Sequence, residues 1–303
     1  MYINKNFELT KEQVFQFQQQ GYIVIKNLFT EKFVSEALLL AKGELKEPQT
    51  NYGKTFNRLK YDVGNNEEII LSLMQNEIFS NTLKKLTEKK LLFTQGLSFE
   101  LKKNKDKGFP WHVGTVSFGC QREEDMGYTL WIPFCKINSA KQAGGMKLVP
   151  TKVFSGRFIF QYINLLPKFI NKKLENKDNI DFEYFYHLKN DILNLPAISE
   201  LLDYYAEEPN LNIGDAIFFN KYVLHRSVPL KEGTIDSRIA LALRFVELES
   251  KYDKARAENQ EYPKKIFNYS GSSNFNIEVC KTDNQLLSTS PIFKNTLSKR
   301  IIG

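Results

Sequence analysis

Phe109-Pro110-Trp111-His112-Val113-Gly114 is the stretch on which the reading of this chain turns. It runs into Thr115-Val116-Ser117-Phe118, whose β-branched and aromatic residues predict a strand. Downstream, Gly214-Asp215-Ala216-Ile217-Phe218-Phe219 leads to Leu224-His225, and Arg238 opens Arg238-Ile239-Ala240-Leu241-Ala242-Leu243-Arg244-Phe245. The chain has only 3 histidines. Two of them, His112 and His225, sit in strand contexts far apart in sequence. Imidazole is the commonest protein metal ligand. Two such histidines followed by an arginine on a later strand point to a metal site on a β-scaffold.

Working outward, Tyr128-Thr129-Leu130-Trp131-Ile132-Pro133-Phe134 predicts a strand, and Gly144-Gly145 leads into another at Met146-Lys147-Leu148-Val149-Pro150. Further strands are expected at about 211–219, 222–228 and 238–248. Upstream, Leu91-Leu92-Phe93-Thr94 and Gly96-Leu97-Ser98-Phe99-Glu100-Leu101 are strand candidates, followed by a lysine-crowded turn over 102–107. Residues 67–90 predict one helix, with Ile69, Ile70, Leu73, Met74, Phe79, Leu83 and Leu86 on one face. Residues 49–66 predict a loop, with Arg58 and Lys60 on its solvated surface. Thr10-Lys11-Glu12-Gln13 reads as a capping box that opens a helix closed by Gly21. Tyr22-Ile23-Val24-Ile25 then predicts a strand, and Thr30 caps a second helix. Residues 157–208 are rich in phenylalanine and tyrosine and predict a mostly helical insert. Residues 249–303 show little periodicity and predict a lid or a brace across the core. The pattern predicts a mainly β chain with helices (α+β): a single domain over 1–303 with a double-sheet jelly-roll core at about 8–248, the insert at 157–208 and a C-terminal extension at 249–303.

Composition narrows the class. With 42% hydrophobic residues in 303, the chain can bury one large core. The net charge of +7 is not concentrated in any long Lys/Arg run, so a dedicated nucleic-acid surface is not expected. Cys120, Cys135 and Cys280 are odd in number and lack CxxC spacing, which argues against a disulfide framework or a structural zinc site. Met1 to Asn6 lacks an apolar signal segment, and no apolar run approaches the ~18–20 residues of a membrane span. The expectation is a cytoplasmic protein acting on a small molecule, with no membrane partner.

The order Gly21-Tyr22-Ile23-Val24-Ile25, Phe109-Pro110-Trp111-His112, Trp131-Ile132-Pro133, Gly144-Gly145-Met146-Lys147-Leu148-Val149-Pro150, Gly214-Asp215, His225-Arg226-Ser227, Arg238 resembles the phytanoyl-CoA dioxygenase family. Members of that family are Fe(II)/2-oxoglutarate enzymes on a double-stranded β-helix, a cupin-like jelly roll. The resemblance implies that His112 and His225 ligate iron, that Arg238 pairs with the distal carboxylate of 2-oxoglutarate, and that Ser227 and Trp131 line the cosubstrate pocket. A guanidinium fork suits a bidentate carboxylate. The family's usual ligand spelling is His-x-Asp, and such 2-His-1-carboxylate sites keep positions open for cosubstrate and O2. Here the third residue is Gly114, and the carboxylate is missing.

In that respect the chain resembles the halogenase subset of these enzymes, which carry Gly or Ala at the aspartate position. Loss of the carboxylate removes a negative charge beside the iron and opens space that chloride or bromide can fill. The resemblance therefore implies a halogenase acting on an unactivated C–H bond of a small molecule; the Gly spelling tilts toward a freestanding substrate and leaves a carrier-tethered one open. Two other readings stay open at this point. One is a hydroxylase with an unusual ligand set, for which Glu100, Glu123, Glu124 and Asp125 are the nearby carboxylates. The other is a non-catalytic binding protein on the same fold. Arg244 shares strand parity with Arg238 and binds a substrate anion or pairs with an acid. His187, in the aromatic insert, reads as structural.

Overall fold

A computed structural model describes residues 1–48, 58–176, 192–267 and 273–303. The N-terminal helix α1 (Lys11–Gln20) begins as its capping box predicts: Thr10 Oγ1 accepts from Gln13 N–H, and Gln13 Oε1 accepts from Thr10 N–H. Gly21 ends it in the left-handed region (φ 75°), where a Cβ would meet Thr151 Cγ2 at 2.7 Å. Strand β1 (Tyr22–Ile25) follows, then α2 (Glu31–Glu44) capped by Thr30. The segment at 67–90 is two helices rather than the expected one, α3 (Glu68–Met74) and α4 (Glu77–Thr87). Asn76 divides them, because its side chain accepts from Phe79 N–H and starts a new helix. Apolar spacing continues across the break and hides it from a periodicity reading.

Most strands build one antiparallel sheet in the order β1, β6 (Ala216–Asn220), β4 (Gly127–Pro133), β8 (Ser237–Glu247), β3 (Leu91–Lys102), β2 (Arg58–Tyr61). The terminal strand β9 (Ile301–Ile302) also pairs with β3. The two expected strands at 91–101 are the single strand β3, with a register shift between Phe93 and Gln95. Part of the expected 49–66 loop is β2, in which Arg58 pairs with Glu100 at 2.7 Å rather than facing bulk water alone. Strands β5 (Met146–Val149) and β7 (Leu224–Ser227) form a second, two-stranded sheet, extended by the bridges His112–His225 and Leu148–Glu207.

The alternation along β8 decides what each face meets. Ile239, Leu241, Leu243 and Phe245 pack against α1–α4 in one core. Ala240 and Ala242 face the other way, into a core shared by Trp131, Phe99, Leu97 and Phe219 of the large sheet and Met146 and Leu148 of the small one. Small residues there leave room between the sheets, and Arg238 and Arg244 share that parity.

A third cluster joins Trp111, Val113 and Phe118 to α5 (Arg157–Glu175), α6 (Pro196–Tyr205) and the C-terminal residues Cys280, Leu287 and Phe293. The C-terminal extension is thus a brace rather than a lid. The short helix α9 (Leu297–Arg300), which follows α7 (Lys254–Phe267) and α8 (Phe275–Glu278), delivers the buried Arg300 guanidinium to the carbonyls of Phe93 and Thr94 at 3.3 Å each. The expected insert is helical in its described parts, whereas its centre, including His187, lies outside the described residues. Among the described residues no helix is long and apolar enough to cross a membrane.

Candidate active site

The decisive stretch lies beside β7. His112 and His225 exchange both backbone hydrogen bonds, N–H to O=C at 3.0 Å each way, as an antiparallel pair. Their rings therefore meet, with centroids 4.1 Å apart at 48°. Each Nδ1 lies against a backbone carbonyl two residues earlier, Pro110 O at 2.7 Å and Val223 O at 2.8 Å. An Nδ1 that donates to a carbonyl leaves Nε2 as the lone-pair nitrogen, the tautomer a metal ligand needs. Burial, helped by the neighbouring His112, holds His225 well below the ordinary imidazole range, so it is neutral at pH 7.

The flanking residues hold this pair in place. Asn194 accepts from Trp111 N–H at 3.2 Å and donates to Trp111 O at 3.3 Å. The Arg226 guanidinium lies over the Trp111 ring and is paired with Asp203 of α6 at 2.7 Å. The expected strand at Thr115–Phe118 is instead a turn, closed by Phe118 N–H to Gly114 O at 3.0 Å. Local bonding there overrides the β-branched composition.

The histidines open onto a cleft of ≈ 690 Å³, its open mouth included, that Gly114, Phe109, Phe219, Thr129 and Arg244 also line. Among the described residues no third His, Cys, Asp or Glu joins the pair in a metal-holding group. Of the four nearby carboxylates, three are engaged elsewhere, Glu100 with Arg58, Glu123 with Arg157 at 2.5 Å and Asp125 with Lys251 N–H at 2.6 Å, and Glu124 is not among the residues lining the cleft. Gly114 carries a packing constraint as well. A Cβ at this position would meet Phe118 Cδ2 at 2.6 Å and Lys221 Cβ at 3.3 Å. Phe118 is fully buried, so its ring cannot simply swing away. Gly114→Ala is accordingly expected to cost about 1–3 kcal/mol of stability, the usual range for overpacking. Chemical denaturation should show most of that cost relieved in Gly114→Ala/Phe118→Leu. An additive double mutant would show that the Phe118 contact is not the source of the cost.

Arg238 sits apart from that cleft, only 1% exposed, with its guanidinium 5.1 Å from the Phe99 ring centroid and 5.3 Å from that of Trp131. Nε donates to Gly144 O at 2.8 Å, whereas Nη1 and Nη2 are buried without a partner, as is Trp131 Nε1. Burial alone pulls its pKa down to about 10. An uncompensated buried guanidinium is costly, and two aligned, unmet donors are what a carboxylate accepts bidentately. The residues therefore fit a dicarboxylate cosubstrate. Ser227 is nearly buried, two residues past His225, with its N–H on Phe109 O at 2.9 Å. Phe109 links the two groups of residues, since its ring lies 5.2 Å from His112 and 6.2 Å from Phe99.

The structure thus joins His112, His225 and Gly114 at one cleft and Arg238 with Trp131 beside it. Phe109, Thr129 and Lys221 were not singled out from the sequence. Phe109 opens the key stretch but was given no role there, and Thr129 has the strand parity of Trp131; these were the available signals.

Solved structures share this architecture. SnoK, a non-haem alpha-ketoglutarate-dependent carbocyclase from nogalamycin biosynthesis, matches with a TM-score of 0.59 at 14% identity, covering 81% of this chain and 87% of its own. EctD from S. alaskensis with bound Fe matches at 0.55 and 14%, covering 89% and 87%. CytC3 with Fe(II) and alpha-ketoglutarate matches at 0.50 and 17%, covering 81% and 80%. This chain shares the fold of these solved structures. No protein-family model and no curated protein matches the sequence.

Proposed function

We propose that this chain is an Fe(II)/2-oxoglutarate-dependent oxidoreductase on a double-stranded β-helix, acting as a halogenase on a freestanding small molecule. His112 and His225 hold the metal, Arg238 takes the distal carboxylate of 2-oxoglutarate, and Ser227 and Trp131 line that pocket. When bound, iron and cosubstrate supply the oxidising power, with O2, for attack on an unactivated C–H bond. The chain's own part is positional. The paired carbonyls fix both imidazoles in the ligating tautomer, the Trp111–Arg226 stack steadies their backbones, and the apolar wall of Phe109 and Phe219 limits water at the site.

The observation that carries the reading is the pair of facing histidines with Gly114 beside them and no carboxylate joining them among the described residues. A site lacking that negative charge favours an exogenous anion. Chloride is expected to perturb the visible band of the anaerobic Fe(II)/2-oxoglutarate complex, to tighten cosubstrate binding and to appear in the product. Gly114→Asp is expected to end the chloride response. A wild-type complex indifferent to chloride, with a product carrying oxygen and never halogen, would overturn halogenation.

One observation favours the second reading, a hydroxylase with an unusual ligand set. Phe118 occupies the direction a side chain at 114 would take, so the glycine has a packing reason independent of a halide.

A further inference from the structure

Strand β8 carries two buried or half-buried guanidiniums on its inward face, and only one has been given a ligand. Arg244 lines the histidine cleft; Arg238 does not. Arg244 Nη1 donates to Thr129 Oγ1, and Nε is buried with no partner. No carboxylate lines the cleft, and among the described residues none pairs with Arg244. Arg300 spends its donors on a set of carbonyls, and Arg256, whose Nε also lacks a hydrogen bond, gives Nη1 to Phe160 O at 3.0 Å and has the Asp253 carboxylate 3.6 Å from Nε. The cleft's remaining cation, Lys221, is turned away, its Nζ donating to Arg122 O at 3.0 Å and Glu123 O at 2.9 Å. Arg244 is therefore the one cation lining this cleft, among the described residues, with a buried donor unmet.

Six residues of strand separate the Cα atoms of Arg244 and Arg238, about 20 Å at ~3.3 Å per residue. Their guanidiniums meet different surroundings, Arg238 beside Phe99 and Trp131 and Arg244 in the histidine cleft. Two unmet guanidiniums in separate surroundings can each take an anion of their own. Tyr61, Leu97, Phe109, Val116 and Phe219 supply an apolar wall to the cleft that the histidines and Arg244 also line. We infer that Arg244 anchors an oxyanion, carboxylate or phosphate, on the primary substrate, whose apolar body lies along this wall against the histidine pair. The inference rests on the reading of that pair as the reaction centre and names the substrate class for it.

The test is calorimetric titration of the full chain, metal-free and again loaded anaerobically with Fe(II) and 2-oxoglutarate. The probes are 3-phenylpropionate and phenyl phosphate, with 3-phenylpropionamide as the neutral control. At least one anion is expected to bind about 10- to 100-fold more tightly than the amide, as hydrogen bonds to a charged group typically give. Arg244→Gln should erase that preference and leave 2-oxoglutarate affinity within about threefold of wild type. Thr129→Val removes the hydroxyl that holds Nη1 and should reduce the preference by about two- to tenfold, which keeps the test open if Arg244→Gln misfolds.

No preference in the wild type, or a preference that survives Arg244→Gln, overturns the inference. So does a loss of 2-oxoglutarate binding in Arg244→Gln equal to that in Arg238→Gln, which would give Arg244 to the cosubstrate. Wild-type protein that binds neither Fe(II) nor 2-oxoglutarate defeats the proposed function instead. The metal-free anion-versus-amide comparison still scores Arg244 in that case.

Discussion

Arg238→Ala is expected to weaken 2-oxoglutarate binding by about 30- to 5,000-fold, which is ~2–5 kcal/mol for truncating one partner of a buried, hydrogen-bonded charge pair. The physical reason lies in the free protein. Nη1 and Nη2 are buried without acceptors, so the chain already carries the cost of an unpaired guanidinium between two aromatic rings. A cosubstrate carboxylate recovers that cost on binding, and alanine removes both the cost and the recovery. Relief of the unpaired guanidinium is set against the cavity and the Gly144 O left without its donor, so the loss of binding is expected to exceed any change in ligand-free stability. Arg238→Lys should recover only part of the affinity, because an ammonium lacks the planar fork and would leave Gly144 O without its donor. Calorimetry with 2-oxoglutarate measures both variants. Wild-type affinity in Arg238→Ala would remove this residue from the cosubstrate site.

Replacing either histidine by alanine is expected to cut Fe(II) affinity by more than ~100-fold, beyond what loss of an outer supporting partner costs a metal site. The effect should be larger than in a site with three protein ligands, since among the described residues no carboxylate stands by. The two variants should differ in stability. His225 is 6% exposed and its ring packs 4.7 Å from that of Phe219, so His225→Ala also leaves a cavity costing roughly 1–3 kcal/mol. His112 is only half-buried and should cost less. Anaerobic Fe(II) titration alongside thermal unfolding separates the two effects. Iron binding at wild-type strength in both variants would mean that the metal, if any, lies elsewhere.

Local signals were legible from residues alone wherever bonding is local. Thr10 and Gln13 sit three apart and cap each other; Gly21 ends the helix because a left-handed turn there has no room for a Cβ. The strands at Tyr22, Trp131, Met146 and Arg238 follow from their composition, and period-two alternation put Arg238 and Arg244 on one face with Ala240 and Ala242. His112 and His225 do face each other, but through a bridge beside β7, since the strand expected after His112 is a turn.

Two local features escaped a reading by spacing and composition: Asn76 splits a helix that apolar spacing would continue, and Phe118 turns back over Gly114 although its neighbours favour a strand. What only the tertiary structure decided depends on contacts between residues far apart in sequence. Glu100 is committed to Arg58 and so withdrawn from the metal question, a pairing 42 residues apart that no local pattern encodes. The two arginines, alike in the sequence, are separated by what packs against them. Arg238 is sealed between Phe99 and Trp131, whereas Arg244 opens to the cleft beside Thr129. A strand's alternation sets which way a side chain points, but the opposing sheet determines whether it meets another ring, a carbonyl or a space for a ligand.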